Sequence, residues 1–393
     1  MPDIKADLYD SLLDDNGPAA ITLCRRLTSV EGEPAWIFPP TFAQSESSDE
    51  DDEAGSGGKY QIDSLSEDGR KNVCLIDSVG SQANRMEPVF KRPPYSAMVP
   101  QMIIKLKDGD EVNLLDAGHR AADAVVRFSA HYGPLLSKAF KDYRERRDCS
   151  ELVRLAPTSL IFGVWDSRAT GTKIQRVVRS VIRAYDVSKA ERSATFQAAY
   201  DFVGNGMISP DHDKGSGKNN PLSEQGFKYS LATKTHGGVV VRGEIRQDAA
   251  INLVALRMIS DDRTIKRYLL GLALVALSYR DQQAFNLREG CLLRAATKKD
   301  YDGQWIVVHF DSTEDQTMFA GFTHEMAMHF AQDASADMKV EKLESDTFDQ
   351  ATAERWLRVE KKTRKRLSKV KHPSEVTEQE ASVATKEKKS APK

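Results

Sequence analysis

The segment Tyr268–Leu277, YLLGLALVAL, is apolar on every side when wound as a helix. Such a helix offers no face to water, so other elements must enclose it. Its ten residues fall well short of the about 20 that cross a bilayer. The reading is a central helix, Thr264–Tyr279, of a water-soluble, cytoplasmic domain. Enclosing it takes apolar area, and 40% of the 393 residues are hydrophobic, which excludes wholesale disorder. A chain of this length allows roughly two to three domains or one enlarged domain.

The segments around that helix alternate in period. Asn72–Ile76 reads as a short strand, with Asp77 capping a helix through Met86. Gln101–Lys107 alternates apolar and polar like a strand and ends at the turn signal Asp108-Gly109. Ser159–Val164 and Gly238–Ile245 read as further strands, the second followed by a helix over Ala249–Ile259. Gln304–Phe310 reads as a strand before an amphipathic helix from Thr313 to Ala331. This order suits an α+β domain on a ferredoxin-like core with large insertions.

Charge is uneven behind a net of -2. Ser45–Gly58 holds six acids and no base, a composition that cannot bury apolar area and is expected to be a disordered loop. From Glu360 onward there are eleven bases against five acids. A helix over Arg355–Lys371 is expected to stop at Pro373. The expected division is 1–59 as an N-terminal segment containing the acidic loop, 60–355 as the folded domain, and 356–393 as a basic, disordered tail. The four cysteines, Cys24, Cys74, Cys149 and Cys291, have no metal-ligand spacing and fit a reducing compartment. The N-terminus carries no basic segment followed by an apolar run.

Four places carry chemistry suited to an anionic partner. Ser167–Tyr185 has five bases and no acid. Read as a helix, it aligns Lys173, Arg176, Arg179 and Arg183 on a ridge backed by Ile174, Val177, Val178, Val181 and Ile182. Such a ridge can neutralise a line of phosphates, although a solvated helix face has the same look. Ser81, Gln82, Asn84 and Arg85 supply donors suited to phosphate or ribose hydroxyls. A structural helix tying down loops would also carry them, and Asp77 at its start opposes an anion. His119-Arg120 is a further phosphate candidate, and Trp165 with Arg168 forms a stacking corner, unless Trp165 belongs to the core.

Several motifs fail. His324 and His329 in HEMAMH are five apart, not the four of a zinc protease helix. Gly215-Ser216-Gly217-Lys218 lacks the first glycine and the final Ser or Thr of a phosphate loop. Asp211-His212-Asp213 lies in the Gly-, Asn- and Pro-rich stretch Gly204–Gly226, weak ground for a metal. No metal, cofactor or catalytic constellation is expected.

Seven segments follow one another in a distinctive order: LIDSVGSQANRME (Leu75–Glu87), HRAADA (His119–Ala124), SLIFGVWDSR (Ser159–Arg168), GGVVVRGEI (Gly237–Ile245), INLVALR (Ile251–Arg257), YLLGLALVAL (Tyr268–Leu277) and LREGCLLR (Leu287–Arg294). In this order and spacing, from Tyr60 to Phe310, the chain resembles the RAMP-type backbone subunit, the Cas-seven protein, of type I-U (I-G) CRISPR systems. The resemblance implies an RRM-like palm with helical insertions and an extended thumb loop. It implies a ribonucleoprotein of antiviral defence, a type I Cascade. There the subunit polymerises along crRNA without catalysis and presents the spacer for pairing with target DNA. Its partners would be crRNA, target DNA through the crRNA, copies of itself, a capping and processing subunit and a large subunit, with no membrane.

On this resemblance the expected crRNA contacts are Ser81, Gln82, Asn84, Arg85, His119, Arg120, Arg168, Lys173, Arg176 and Arg179. The Gly204–Gly226 stretch, with Lys214, Lys218 and Lys228, would be the thumb or its tip. The acidic loop would limit non-specific RNA binding. The competing reading is a metal-dependent RNA endonuclease using Asp211 or Asp213; an unrelated metabolic enzyme is a third.

Overall fold

The computed structural model describes residues 6–42, 59–215, 220–279, 285–310, 317–318 and 321–377. The acidic segment 45–58, Lys218 and the last residues from 378 lie outside them.

The main sheet runs, strand beside strand, Asn286–Arg288, Cys291–Ala295, Ala20–Ser29, Ile245–Asn252, Val178–Tyr185, Asn72–Asp77, Ile62–Ser64. Its neighbours all pair antiparallel. Gln304–Val308 pairs with the first half of Ala20–Ser29, from Ala20↔Val308 to Cys24↔Gln304. Strand side chains alternate between faces, and here one face is dry. Ile21, Leu23, Val178, Ala249, Ile251, Trp305 and Val307 point into the principal core with the helix Arg263–Ser278. That helix is buried from Tyr268 to Ser278, as its sequence requires. It crosses the helix His324–Met338 so closely that a methyl group on Gly271 would lie 2.9 Å from Ala331 Cα. The opposite face, carrying Cys24, Arg26, Arg183, Tyr185, Arg246 and Asp248, is half open to solvent.

Four readings from periodicity change. Pro157–Phe162 is a buried helix, and only Val164–Trp165 is extended; a short apolar run fits either state, and Pro157 at the first turn favours helix. The basic run is extended, with strands at Lys173–Ile174 and Val178–Tyr185. Its β-branched residues Val178, Val181 and Ile182 fit a sheet better than a helix. The strand Ile245–Asn252 runs past the expected helix start because Ala249 and Ile251 alternate into the core. Asn252 then caps Leu253–Arg257, its side chain accepting from the Ala255 amide at 2.9 Å. The helix expected from Thr313 begins at His324, capped by Thr323.

The C-terminal segment, read from composition as a disordered tail, is folded through residue 377. Helices Gln350–Arg358 and Lys361–Leu367 are followed by a turn at Pro373–Glu375. Trp356, Val359 and Val376 bury against Phe128, and buried His372 pairs with the Arg127 carbonyl at 2.6 Å. Burial depresses the His372 pKa, so the ring sits neutral in its pocket.

A ribbon leaves the body beside this sheet. Val187–Phe196 pairs with Ser230–Val241, beginning Val187↔Val241, and the root is extended by Ala35–Ile37. The root is apolar, with Ile37, Val187, Val239 and Val241 in a second core cluster. Beyond it, Glu191 to Phe196 are all exposed. Tyr200, Phe202 and Phe227 meet edge to face at the far end, with ring centroids 5.4 and 5.1 Å apart.

Candidate nucleic-acid interface

The helix Val79–Met86 packs on the Val178–Tyr185 strand and starts at Ser78, whose Oγ accepts from the Ser81 amide at 3.2 Å. Asp77, expected as the cap, is 1% exposed and turns inward. It accepts from Gln82 at 2.6 Å and pairs with Arg85 at 3.0 Å. No carboxylate stands in the first turn, so the helix N-terminus keeps its favourable field for an anion.

Three of the expected contacts are structural. Gln82 is 3% exposed; it takes part in a buried network with Ser180 and Gln247, which reaches Arg25. A ligand arriving from solvent cannot touch it. Arg85 spends its guanidinium on Asp77 and on the carbonyls of Asn286 and Leu287. Arg120 is 5% exposed and pairs with Glu87 at 2.7 Å. It also donates to Asn84 and the Gly163 carbonyl, with its guanidinium over the Phe162 ring. Its backbone is left-handed, with φ 52°, a conformation costing about 1–2 kcal/mol that tertiary contacts must offset. These three polar residues hold the helix and the His119 turn in place.

The remaining seven lie toward solvent. Arg176 sits where a methyl group on Gly80 would come within 4.0 Å of its guanidinium, beside the helix start. Its stem lies against Gly163, whose φ of 76° and missing Cβ make room: an added carbon would stand 2.5 Å from Arg176 Cγ. Arg176 is half-buried and makes no ion pair among the described residues. Burial, and then the charge of Arg120, lower its pKa. Asn84 shows its amide at the surface near Gly118, next to exposed His119, and Ser81 occupies the first turn. Arg179 is exposed on the strand where the neighbouring Asn72–Asp77 pairing has ended.

Past Gly163 the short hairpin pairs Trp165 with Lys173. Trp165 is 62% exposed, which decides against the core. Lys173 stands 5.7 Å from its ring centroid, and Arg168 is exposed in the connecting turn. The turn is braced through buried Asp166, which accepts from the Thr170 amide and hydroxyl at 2.8 and 2.7 Å.

Residues 21–189 match the family described as CRISPR-associated protein GSU0053. Over this stretch, less than half of its length, the chain is similar to a CRISPR-associated family. The matched stretch contains all ten expected contact residues and ends at Lys189, within the first strand of the ribbon. No curated protein matches the chain. Among solved structures, a chain of "CRISPR RNA-guided surveillance complex, pre-nicking" aligns with a TM-score of 0.30 and 13% identity. The alignment covers 81% of this chain and 88% of that one, and at that score it carries no argument.

Sequence reasoning missed the open sheet face. Arg246 reaches Tyr185, Glu244 and Asp248, Arg183 approaches Asp248, and Arg26 pairs with Asp300. Its signal was the period-two alternation of Ile245–Asn252, hidden once that segment was divided into strand and helix. This face is charged but internally neutralised. Of the expected nuclease residues, Asp213 is engaged by Lys228 at 2.8 Å and by Asn220 at 2.6 Å. The Lys228 and Asn220 bonds hold its carboxyl below the usual range. Among the described residues no group of three or more His, Cys, Asp or Glu is placed to hold a metal, and no helix is long and apolar enough to cross a membrane.

Proposed function

We propose that the chain is a non-catalytic crRNA-binding backbone subunit of a type I CRISPR surveillance complex, with a palm, a thumb and a line of copies along the guide. The observation that carries this reading is Arg176: a half-buried cation without a carboxylate partner, set at the N-terminus of an eight-residue helix. Desolvating a guanidinium is unfavourable unless an anion compensates, and a phosphate held by Arg176 at the start of the Val79–Met86 helix, with Arg179, provides one. Asn84 and His119 extend the contact toward ribose and phosphate. Trp165 with Lys173 offers a stacking platform for one base, as single-stranded RNA binding uses. None of these groups reads base identity, which leaves sequence to pairing.

An RRM-like palm is supported by strand order. Gln304–Val308, Ala20–Ser29, Ile245–Asn252 and Val178–Tyr185 lie side by side. In chain order they are fourth, first, third and second, with helical segments after the first and third, the arrangement of a split βαβ core. The thumb is supported by the exposed ribbon with its aromatic end, which extends the expected Gly204–Gly226 stretch at both sides. A binding role without chemistry is consistent with Asp213 being neutralised by Lys228.

The test is co-expression with the CRISPR array and processing subunit, purification, and a denaturing gel of the bound nucleic acid. A discrete RNA of crRNA length in particles with several copies, lost in Arg176→Glu/Arg179→Glu, is expected. A clean monomer without RNA, despite mature crRNA in the cells, would overturn the proposal.

A further inference from the structure

The strongest uniform charge on the described surface lies far along the chain from the guide-binding residues. Lys361 to Lys371, KKTRKRLSKVK, holds seven bases and no acid. Lys361, Lys362, Lys365, Arg366 and Lys369 are exposed, and none of the five makes an ion pair among the described residues. Within the helix Lys361–Leu367 like charges stand four apart at Lys361/Lys365 and Lys362/Arg366, a spacing that destabilises an isolated helix. The preceding helix shows the ordinary solution: Glu354 faces Arg358 and Gln350.

The self-repelling helix is nonetheless anchored. Thr363 and Ser368 are buried under it, and Leu367 packs against the cluster of Trp356, Val359 and Val376 on Phe128. Lys141 donates to the Val370 carbonyl at 2.6 Å, and His372 closes the following turn as a capping box with Glu375. A rigid, folded, unneutralised row of cations is a surface prepared for a polyanion.

The chemistry of that polyanion follows from what the row lacks. The guide surface pairs its cations with exposed Trp165; the five exposed bases here have no exposed aromatic among residues 350–377, since Trp356 is buried. Without a stacking platform, single-stranded bases gain nothing, whereas phosphates along a duplex need only charge at intervals. The seven-residue helix spans roughly 10 Å at ~1.5 Å per residue, enough to follow neighbouring phosphates along one edge of a groove.

We infer that Lys361, Lys362, Lys365, Arg366 and Lys369 form a second, sequence-independent phosphate-binding surface that engages double-stranded DNA, separate from the guide RNA site. It goes beyond the crRNA-binding reading and does not require it. The experiment measures binding of the full-length chain, as purified, to a random-sequence 30-base-pair duplex across a salt series. It compares wild type with the fourfold variant Lys361→Gln, Lys365→Gln, Arg366→Gln, Lys369→Gln, and with the version carrying Arg at the three lysines. Each lost phosphate contact removes ~0.9 from the slope of log K against log salt, so the Gln variant is expected to lose about 2–4 in slope and roughly tenfold or more in affinity. The Arg version keeps both, and thermal unfolding and bound guide RNA stay at wild-type levels. Unchanged duplex binding overturns the inference. So does loss of guide RNA with duplex affinity intact, which would assign the helix to the guide site. Loss of association between copies with duplex affinity intact would assign it to an acidic protein surface and likewise overturn it.

Discussion

Glu87 should make the folded chain less stable as pH rises from about 4.5 through 7, and Glu87→Gln should remove that contribution. The carboxyl is 1% exposed and lies 2.7 Å from the Arg120 guanidinium. Burial pushes its pKa up to about 7, against the opposing pull of Arg120 and the Thr158 hydroxyl. The unfolded chain releases the same proton near 4.5. Between these values the folded state binds more protons than the unfolded one, so this group's stabilisation is full below 4.5 and is lost as pH rises through 7. Integrating between pH 5 and pH 8 gives a loss of about 2–3 kcal/mol. Urea unfolding followed by circular dichroism at pH 5, 6, 7 and 8 reads it directly. Subtracting the variant removes every other titrating group, so the wild-type minus variant difference should fall by about 2–3 kcal/mol across that range. Parallel profiles would refute the reasoning, and a rising difference would show that the attraction of Arg120 outweighs desolvation.

Asp77→Ala leaves the Gln82 amide and the Arg85 guanidinium without their shared acceptor. It should destabilise the chain by about 2–3 kcal/mol, below the range for a fully buried pair because Arg85 can turn to solvent. Bound guide RNA should fall with it as the Val79–Met86 helix loosens; a change under about 0.5 kcal/mol in urea unfolding would contradict the anchoring role. Phe202→Ser/Phe227→Ser dismantles the aromatic end of the ribbon, outside all three core clusters. The melting temperature should hold while the number of copies per guide, counted by mass photometry, drops. An unaltered copy number would refute the thumb reading.

What could be read in the sequence followed how each segment is stabilised. The Arg263–Ser278 helix was legible within one residue at each end because it is apolar all round and leaves no other option. Asn72–Asp77 and Gln304–Val308 were legible because their alternation is not contradicted by neighbours. Ser159–Val164 forms a helix up to Phe162 rather than the expected strand because so short an apolar run satisfies helix and strand alike, and Pro157 decides between them. The basic run illustrates a subtler failure. From Lys173 to Arg183 its bases recur every three or four residues, which suggests a helix, but the β-branched residues between them settle in the sheet. Arg176 and Arg179 still reach solvent, by a different geometry. At the interface, residue type was visible but burial was not. Gln82, Arg85 and Arg120 look like RNA donors until their partners Asp77, Glu87 and Ser180 are seen, because those partners are brought together by pairing across the sheet.

The root of the ribbon has a consequence for how the chain tolerates change. Val187 and Val241 face one another directly, and the exposed excursion beyond the Glu191↔His236 pair departs and returns at one rung of the same ladder. The main-sheet strands on either side are already joined by their own ladder, from Ile245↔Ala184 to Ile251↔Val178. A cut at the far end would leave two fragments interleaved in one sheet, still folded around the same core. Replacing the excursion by a tight turn would join strands that are neighbours anyway. The projecting arm can therefore be lengthened, shortened or rewritten from one lineage to the next while the body that bears it stays unaltered.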